Sequence, residues 1–154
     1  MNVNYQSILK KIADVSKIDS QPVYFIKVIE TRCPDCPYDP ITGSTGRRYC
    51  PSCGGTNKII TEEKLEVTAN VEYITGLETQ FERGGKFEEG TVIVTVHRSE
   101  LERVNLPTED FRSDSVSYID VNNRRYTIQH LTPQYLHGYM YEIIFRLNRY
   151  KQGV

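Results

Sequence analysis

The sequence predicts a mainly β fold: a small antiparallel β-barrel with an N-terminal helix and an inserted four-cysteine module. Alternating apolar and polar residues recur in short runs through most of the 154 residues. Eleven Tyr and five Phe, without any Trp, add the aromatic content that is typical of strands with partly solvated faces. Four cysteines lie close together, between residues 33 and 53. We therefore expect one domain over residues 1–154, with an insertion at residues 31–58; a β-sandwich is the alternative architecture.

An amphipathic helix is predicted at residues 3–16. Its apolar residues recur at intervals of three and four, at Tyr5, Ile8, Leu9, Ile12 and Val15. That spacing places them on one face of a helix.

Six runs predict the strands, at residues 22–30, 58–60, 65–73, 91–98, 115–129 and 138–149. The first is mostly apolar on both faces, several later runs alternate, and the fifth is a hairpin of two strands. Within the fifth run, Asn122 and Asn123 predict a two-residue turn, because asparagine tolerates the positive φ that a type I′ turn requires. We expect a short bend at the HLTP sequence, residues 130–133. The last run predicts one apolar face at Tyr139, Tyr141, Ile143, Phe145 and Leu147.

The cysteines form two CxxC pairs, Cys33 with Cys36 and Cys50 with Cys53. Each pair can aim two thiolates at one point, and two pairs make a tetrahedral zinc site. Proline follows Cys50 and two glycines follow Cys53, so the backbone can turn its N–H groups towards sulfur. Two disulfides are the rival interpretation, which a reducing cytosol disfavours. Iron also suits four sulfur ligands.

We expect this Zn²⁺ to be structural, because four thiolates leave no coordination position open for water or substrate. The inserted zinc ribbon is then a metal-stabilised insertion between two strands of the larger fold. Its intervening sequence carries four residues that offer a nucleic-acid contact as an alternative role: Tyr38, Arg47, Arg48 and Tyr49.

Charge and hydropathy exclude several functional classes. The formal net charge is −1, so a strongly basic nucleic-acid-binding surface is not indicated. The sequence contains no apolar run long enough to span a membrane. Its first residues lack the charged-then-apolar pattern of a signal peptide, so secretion is not expected.

No catalytic motif is recognisable, and an enzyme is not expected. His97, His130 and His137 lack a cysteine, serine or carboxylate at a motif-defining spacing. Glutamates are frequent between residues 59 and 100, where paired carboxylates would suit magnesium. They are spread over strand and loop, which favours a solvated or partner-facing surface.

Residues 76–90 predict a long mobile loop. Four glycines, several glutamates and two phenylalanines, Phe81 and Phe87, occur there without any regular period. Long loops in compact domains are commonly functional.

The C-terminal half follows a recognisable order of strands and turns. The strand TVIVTVHRSE is followed by a polar stretch. After it come SYIDV, an Asn-Asn turn, RRYTI, the HLTP bend and a last alternating strand that ends in Leu-Asn-Arg. This order resembles that of the small β-barrel head-closure proteins (stopper or head–tail joining proteins) of long-tailed bacteriophages, over roughly residues 65–150.

The resemblance implies an architectural role as a virion protein that is assembled in the host cytoplasm. Such a subunit joins a homo-oligomeric ring that closes the portal after DNA packaging and provides the surface on which the tail docks. The implied partners are neighbouring copies, portal or adaptor proteins, tail proteins and packaged DNA, without a membrane. Open sheet edges and the zinc module would supply the protein contacts.

In that family a loop between barrel strands projects towards the central channel, and residues 76–90 are its match here. Carboxylates along such a loop would repel the phosphate backbone of DNA. The alternative function is that of a zinc-ribbon protein that binds nucleic acid or takes part in transcription.

Overall fold

The computed structural model describes residues 5–16, 19–36, 50–74 and 90–150, which form two helices and six strands. In chain order these are α1 (Tyr5–Ser16), β1 (Ser20–Arg32), β2 (Lys58–Tyr73), β3 (Val92–His97), α2 (Arg98–Arg103), β4 (Tyr118–Val121), β5 (Arg124–Leu136) and β6 (Tyr139–Arg149).

The chain forms two compact units, one of residues 27–63 and one of the residues before and after them. Strand β1 begins in the larger unit and ends in the smaller one, and β2 returns to the larger unit. The run at residues 58–60 and the run at residues 65–73, predicted as two strands, are parts of this one strand.

The six strands close into an antiparallel barrel in the order β1-β2-β3-β6-β5-β4. Strand β1 closes it by pairing with β4, where Phe25 lies opposite Ile119. The prediction of a mainly β fold with an antiparallel barrel is confirmed. Closure gives every strand of the barrel a paired neighbour on both sides over part of its length, so no whole strand is an edge strand. Strand β5 nevertheless extends beyond its pairing with β4, which reaches Tyr126.

Alternation along the strands fills the barrel interior as the sequence predicts. On β3, Val92, Val94 and Val96 are all buried. On β2, Val67 and Ala69 are buried against them. The turn between β4 and β5 is also as predicted, since Asn122 and Asn123 have φ values of 48° and 61°.

One end of the core is completed by residues that the sequence analysis left in a polar stretch. Leu101 of α2 is buried, and so is Phe111 in the connection from α2 to β4. The Phe111 ring packs edge-on against Phe25 and Phe145, with ring centroids 6.4 and 5.2 Å apart. Edge-to-face contacts add to the stabilisation that burial of the rings provides.

Helix α2 is fixed to the barrel by Glu100. Its carboxylate accepts a hydrogen bond from the Thr68 backbone N–H at 3.2 Å and pairs with Arg103 at 2.9 Å. Burial alone would raise the pKa of Glu100, but the bonds from Arg103 and Thr68 outweigh it and lower that pKa. This anchoring is therefore present at neutral pH and is lost as the pH falls through the lowered value.

The expected bend at residues 130–133 is absent, because β5 continues through it to Leu136. Its pairing with β6 shifts register between Ile128 and His130 instead, which marks a bulge or irregularity. Pro133 is compatible with a strand here because β4 pairs with β5 only near its start. The proline therefore removes no hydrogen bond to β4.

The predicted apolar face of β6 is correct at Ile143, Phe145 and Leu147, which are buried. It is wrong at Tyr139, which is 62% exposed, whereas Met140 is buried. A second register shift between β5 and β6 at this end of the pair changes which side chain points inward.

Two residues of the apolar face on which the α1 prediction rests are exposed, whereas Ile12 is half-buried. Ile8 is 38% exposed and Val15 is 67% exposed. Neither of the helices in the described residues is long and apolar enough to cross a membrane.

Two predicted features lie outside the described residues. They are most of the loop at residues 76–90, and the intervening sequence that contains Arg47 and Arg48.

We expect Phe111→Ala to lower the free energy of unfolding by about 3 kcal/mol, because it leaves a cavity beside Phe25 and Phe145. Urea denaturation of the purified chain measures this. Tyr135→Ala, at an aromatic residue that is 55% exposed, is the control and should change the stability by no more than about 0.5 kcal/mol. Equal losses in the two variants would show that Phe111 does not complete the core.

Candidate metal centre

The base of the site is set by hydrogen bonds between the end of β1 and the start of β2. The Cys33 backbone N–H donates to the Asn57 carbonyl at 2.8 Å. The Thr31 hydroxyl donates to the Ile59 carbonyl at 3.4 Å. These contacts hold Cys33, which follows β1, beside the chain that leaves the second cysteine pair.

A tight turn at each cysteine pair directs its sulfur atoms. The Cys36 N–H donates to the Cys33 carbonyl at 3.4 Å, and the Gly54 N–H donates to the Cys50 carbonyl at 2.7 Å. Gly54 and Gly55 have φ values of 61° and 88°, where a side chain is strained. The glycines after the second pair thus have the left-handed geometry that the sequence predicts.

The four sulfur atoms converge on one point. All lie within 4.8 Å of one another; Cys33 and Cys50 are 3.6 Å apart, and Cys36 and Cys53 are 3.4 Å apart. Sulfur atoms at about 2.3 Å from a tetrahedrally coordinated zinc ion are about 3.8 Å apart. All four cysteines are free thiols. The cluster thus fits one metal ion.

The cysteines also form the interior of their unit. Among the described residues of the unit at 27–63, the buried side chains are Cys33, Cys36 and Cys50. Cys53 and Ile59 are partly buried against them. So small an apolar interior cannot stabilise a unit by itself, and small units of this kind usually need a metal or disulfides.

The thiol of Cys53 is poised to lose its proton. Burial alone would raise its pKa, but hydrogen bonds from the Cys36 thiol and from the Gly55 and Asn57 backbone N–H groups outweigh it. Together they lower the pKa of Cys53 to about 6. The turn that follows the second pair therefore stabilises a thiolate at neutral pH.

The two cysteine pairs differ in acidity. The pKa of Cys50 is also lowered, since backbone N–H groups of Cys53 and Ser52 outweigh its burial. Burial raises the pKa of Cys33 and of Cys36. Binding a metal ion to all four sulfurs therefore releases protons mainly from the first pair, and its affinity rises with pH.

Asn57 is a residue of the site that sequence reasoning missed. It has a φ of 66°, its carbonyl accepts from Cys33, and its N–H helps to lower the pKa of Cys53. An asparagine a few residues after two glycines is the available signal, because asparagine tolerates the left-handed region.

The three histidines, which the sequence analysis considered as catalytic residues, do not lie together. His97 caps α2, where its Nδ1 accepts from the Ser99 N–H at 3.2 Å. His130 lies within β5 and His137 in the turn before β6. In the described part of the chain, no histidine or carboxylate group comparable to the cysteine cluster could hold a metal ion.

A small cavity of about 20 Å³ lies beside α2, between residues of β2, β3 and β6. Asn70, His97, Glu100 and Glu142 are among the residues that line it. Burial raises the pKa of Glu142. A cavity of this size holds one water molecule.

No protein-family model matches the chain, and no curated protein matches it.

We expect Asn57→Val to weaken metal binding about tenfold, because a β-branched residue is strained at positive φ by about 1–3 kcal/mol. Competition with a chromophoric chelator measures the affinity. Asn57→Gly, which relieves this strain and keeps both backbone groups, should bind nearly as tightly as the wild type. Wild-type affinity in Asn57→Val would mean that the turn does not shape the site.

Proposed function

We propose that this protein is a virion structural protein, a subunit of the ring that connects head and tail in a long-tailed bacteriophage. In that role it closes the portal after DNA packaging and provides the docking surface for the tail. The partners are neighbouring copies, portal or adaptor proteins, tail proteins and the packaged DNA. Assembly takes place in the host cytoplasm, where thiols stay reduced and remain able to bind a metal.

The observation that carries this proposal is the connection between β2 and β3. The two strands are paired, with Tyr73 opposite Val92, and the Ile74 N–H donates to the Thr91 carbonyl at 3.1 Å. Both ends of segment 75–89 therefore leave the same end of the barrel side by side. A hairpin between such strands needs about two to five residues, so the extra length calls for a function.

Segment 75–89 has the composition expected of the loop that projects into the central channel in the head-closure family. Four of its residues are glutamates: Glu78, Glu82, Glu88 and Glu89. Carboxylates that line a DNA channel repel phosphates, so DNA is stopped or passes without adhering. Phe81 and Phe87 supply apolar contacts for neighbouring copies.

The four-cysteine cluster contributes a structural Zn²⁺ to this protein. Four thiolates complete a tetrahedron around zinc and leave no position for a substrate. The ion then serves as the core of the unit at residues 27–63. That unit also exposes Ile29 and Ile60, which provide apolar contact points for a protein partner.

We expect the purified chain to contain one zinc ion per molecule by elemental analysis. Cys50→Ser removes one ligand, so it should lose most of the zinc and unfold residues 27–63 while the barrel stays folded. The two effects are separable because the barrel depends on apolar burial. Amide spectra of both units report the outcome.

Ser52→Ala is the matched control for this variant, because Ser52 lies between the two cysteines of the pair and its hydroxyl donates to Asp35, not to a cysteine sulfur. The substitution keeps the Ser52 backbone N–H that faces Cys50. It should keep the zinc. Two disulfides without metal, or stoichiometric iron, would contradict the zinc assignment.

Deleting residues 78–88 should leave the thermal unfolding midpoint of the barrel nearly unchanged, because loop length contributes little to stability. Phage particles that carry the deletion should lose packaged DNA, measured as nuclease-accessible DNA per particle. A Gly/Ser segment of the same length separates loss of the side chains from loss of length. Full DNA retention in both variants would contradict a gating role for the segment.

A further inference from the structure

Two arginines lie at the rim of the barrel beside the β4–β5 turn. Arg124 pairs with Val121, and Arg149 pairs with Tyr126. Val121 and Tyr126 are buried in the core. Residues that pair across two strands lie on the same face of the sheet. Both arginines therefore lie on the face that lines the barrel interior, at the end of that face where it becomes exposed.

Neither guanidinium is neutralised within the part of the chain that the structure describes. Both arginines are exposed, and no carboxylate there forms an ion pair with Arg124 or Arg149. Arg125, next in sequence to Arg124, pairs with Asp120 at 3.3 Å and lies over the Tyr118 ring at 4.8 Å. Within the described residues, Arg124 and Arg149 therefore place two positive charges without an ion-pair partner at this rim.

These side chains line a shallow, open concavity. Its lining residues are Asn123, Arg124, Arg125, Arg149 and Tyr150. The Tyr150 N–H donates to the Arg125 carbonyl at 3.0 Å, and the rings of Tyr150 and Tyr118 pack edge-on at 5.0 Å. Strand pairing and ring packing thus fix the backbone of the site before any ligand binds.

We propose that this arginine rim binds the phosphate backbone of DNA. Guanidinium groups bind phosphate oxygens through paired, charge-assisted hydrogen bonds. Asn123 and Tyr150 add the amide and hydroxyl groups that commonly contact phosphate and sugar. The proposal rests on the barrel rim alone and requires neither the metal nor the ring.

A phosphate backbone fits the concavity better than an acidic peptide does. Peptides in extended form bind by adding a strand to an open sheet edge, whereas β4, the strand beside this rim, is already paired with β1 on one side and with β5 on the other. The concavity is open and lined mainly by polar and charged residues. An exposed surface of this kind can follow a regular array of phosphates.

The test is an NMR titration of the full-length, zinc-loaded chain with a short DNA duplex of mixed sequence at low salt. Amide shifts should concentrate at residues 121–126 and 147–150. Arg124→Gln with Arg149→Gln should raise the Kd at least about fivefold. Each single change should reduce the slope of log K against log salt by about one, because one phosphate contact is lost.

Arg112→Gln is the charge-matched control, because Arg112 is exposed in the connection from α2 to β4. It should leave the affinity and the salt slope unchanged. Equal weakening by Arg112→Gln, or shifts spread over the whole barrel, would overturn the proposal. Tighter binding of a polyglutamate peptide of equal charge to the same residues would also overturn it, and would assign the rim to an acidic protein segment.

Discussion

Pairing of β1 with β4 closes the barrel, and the arrangement of the remaining structure depends on that closure. Closure satisfies the backbone of both strands and gives each strand one inner face. The inner faces are filled by valine, isoleucine, leucine and phenylalanine, whose burial is the main favourable contribution to folding. It also fixes which strand ends meet, and so places segment 75–89 and the arginine rim.

Two different interactions hold the two units. Apolar burial stabilises the barrel, with Phe111 and Leu101 completing the core at one end. The unit at residues 27–63 has cysteine sulfur in place of such a core. Its folding is therefore linked to metal binding and to the protons that metal binding releases, whereas the apolar burial that stabilises the barrel involves neither.

The arginine rim lies at the end of the barrel where β2 ends. The Asn122 amide donates to the Tyr73 hydroxyl at 2.6 Å, so the β4–β5 turn lies where β2 ends and segment 75–89 begins. The strand end from which segment 75–89 continues is thus in contact with the turn that precedes Arg124. In the proposed ring, the rim would hold phosphates while the carboxylates keep DNA from adhering along its whole path.

Local features of the sequence determined the cysteine cluster, the strands and one of the turns. The spacing of the cysteines predicted their cluster, strand alternation predicted the barrel, and the Asn122-Asn123 turn was predicted from backbone preference alone. These features depend on residues close together in the chain. The barrel order, the burial of Phe111 and Met140, the role of Asn57 and the meeting of Arg124 with Arg149 were decided by tertiary structure. Each depends on strand register or on contacts between distant residues, which local pattern does not encode.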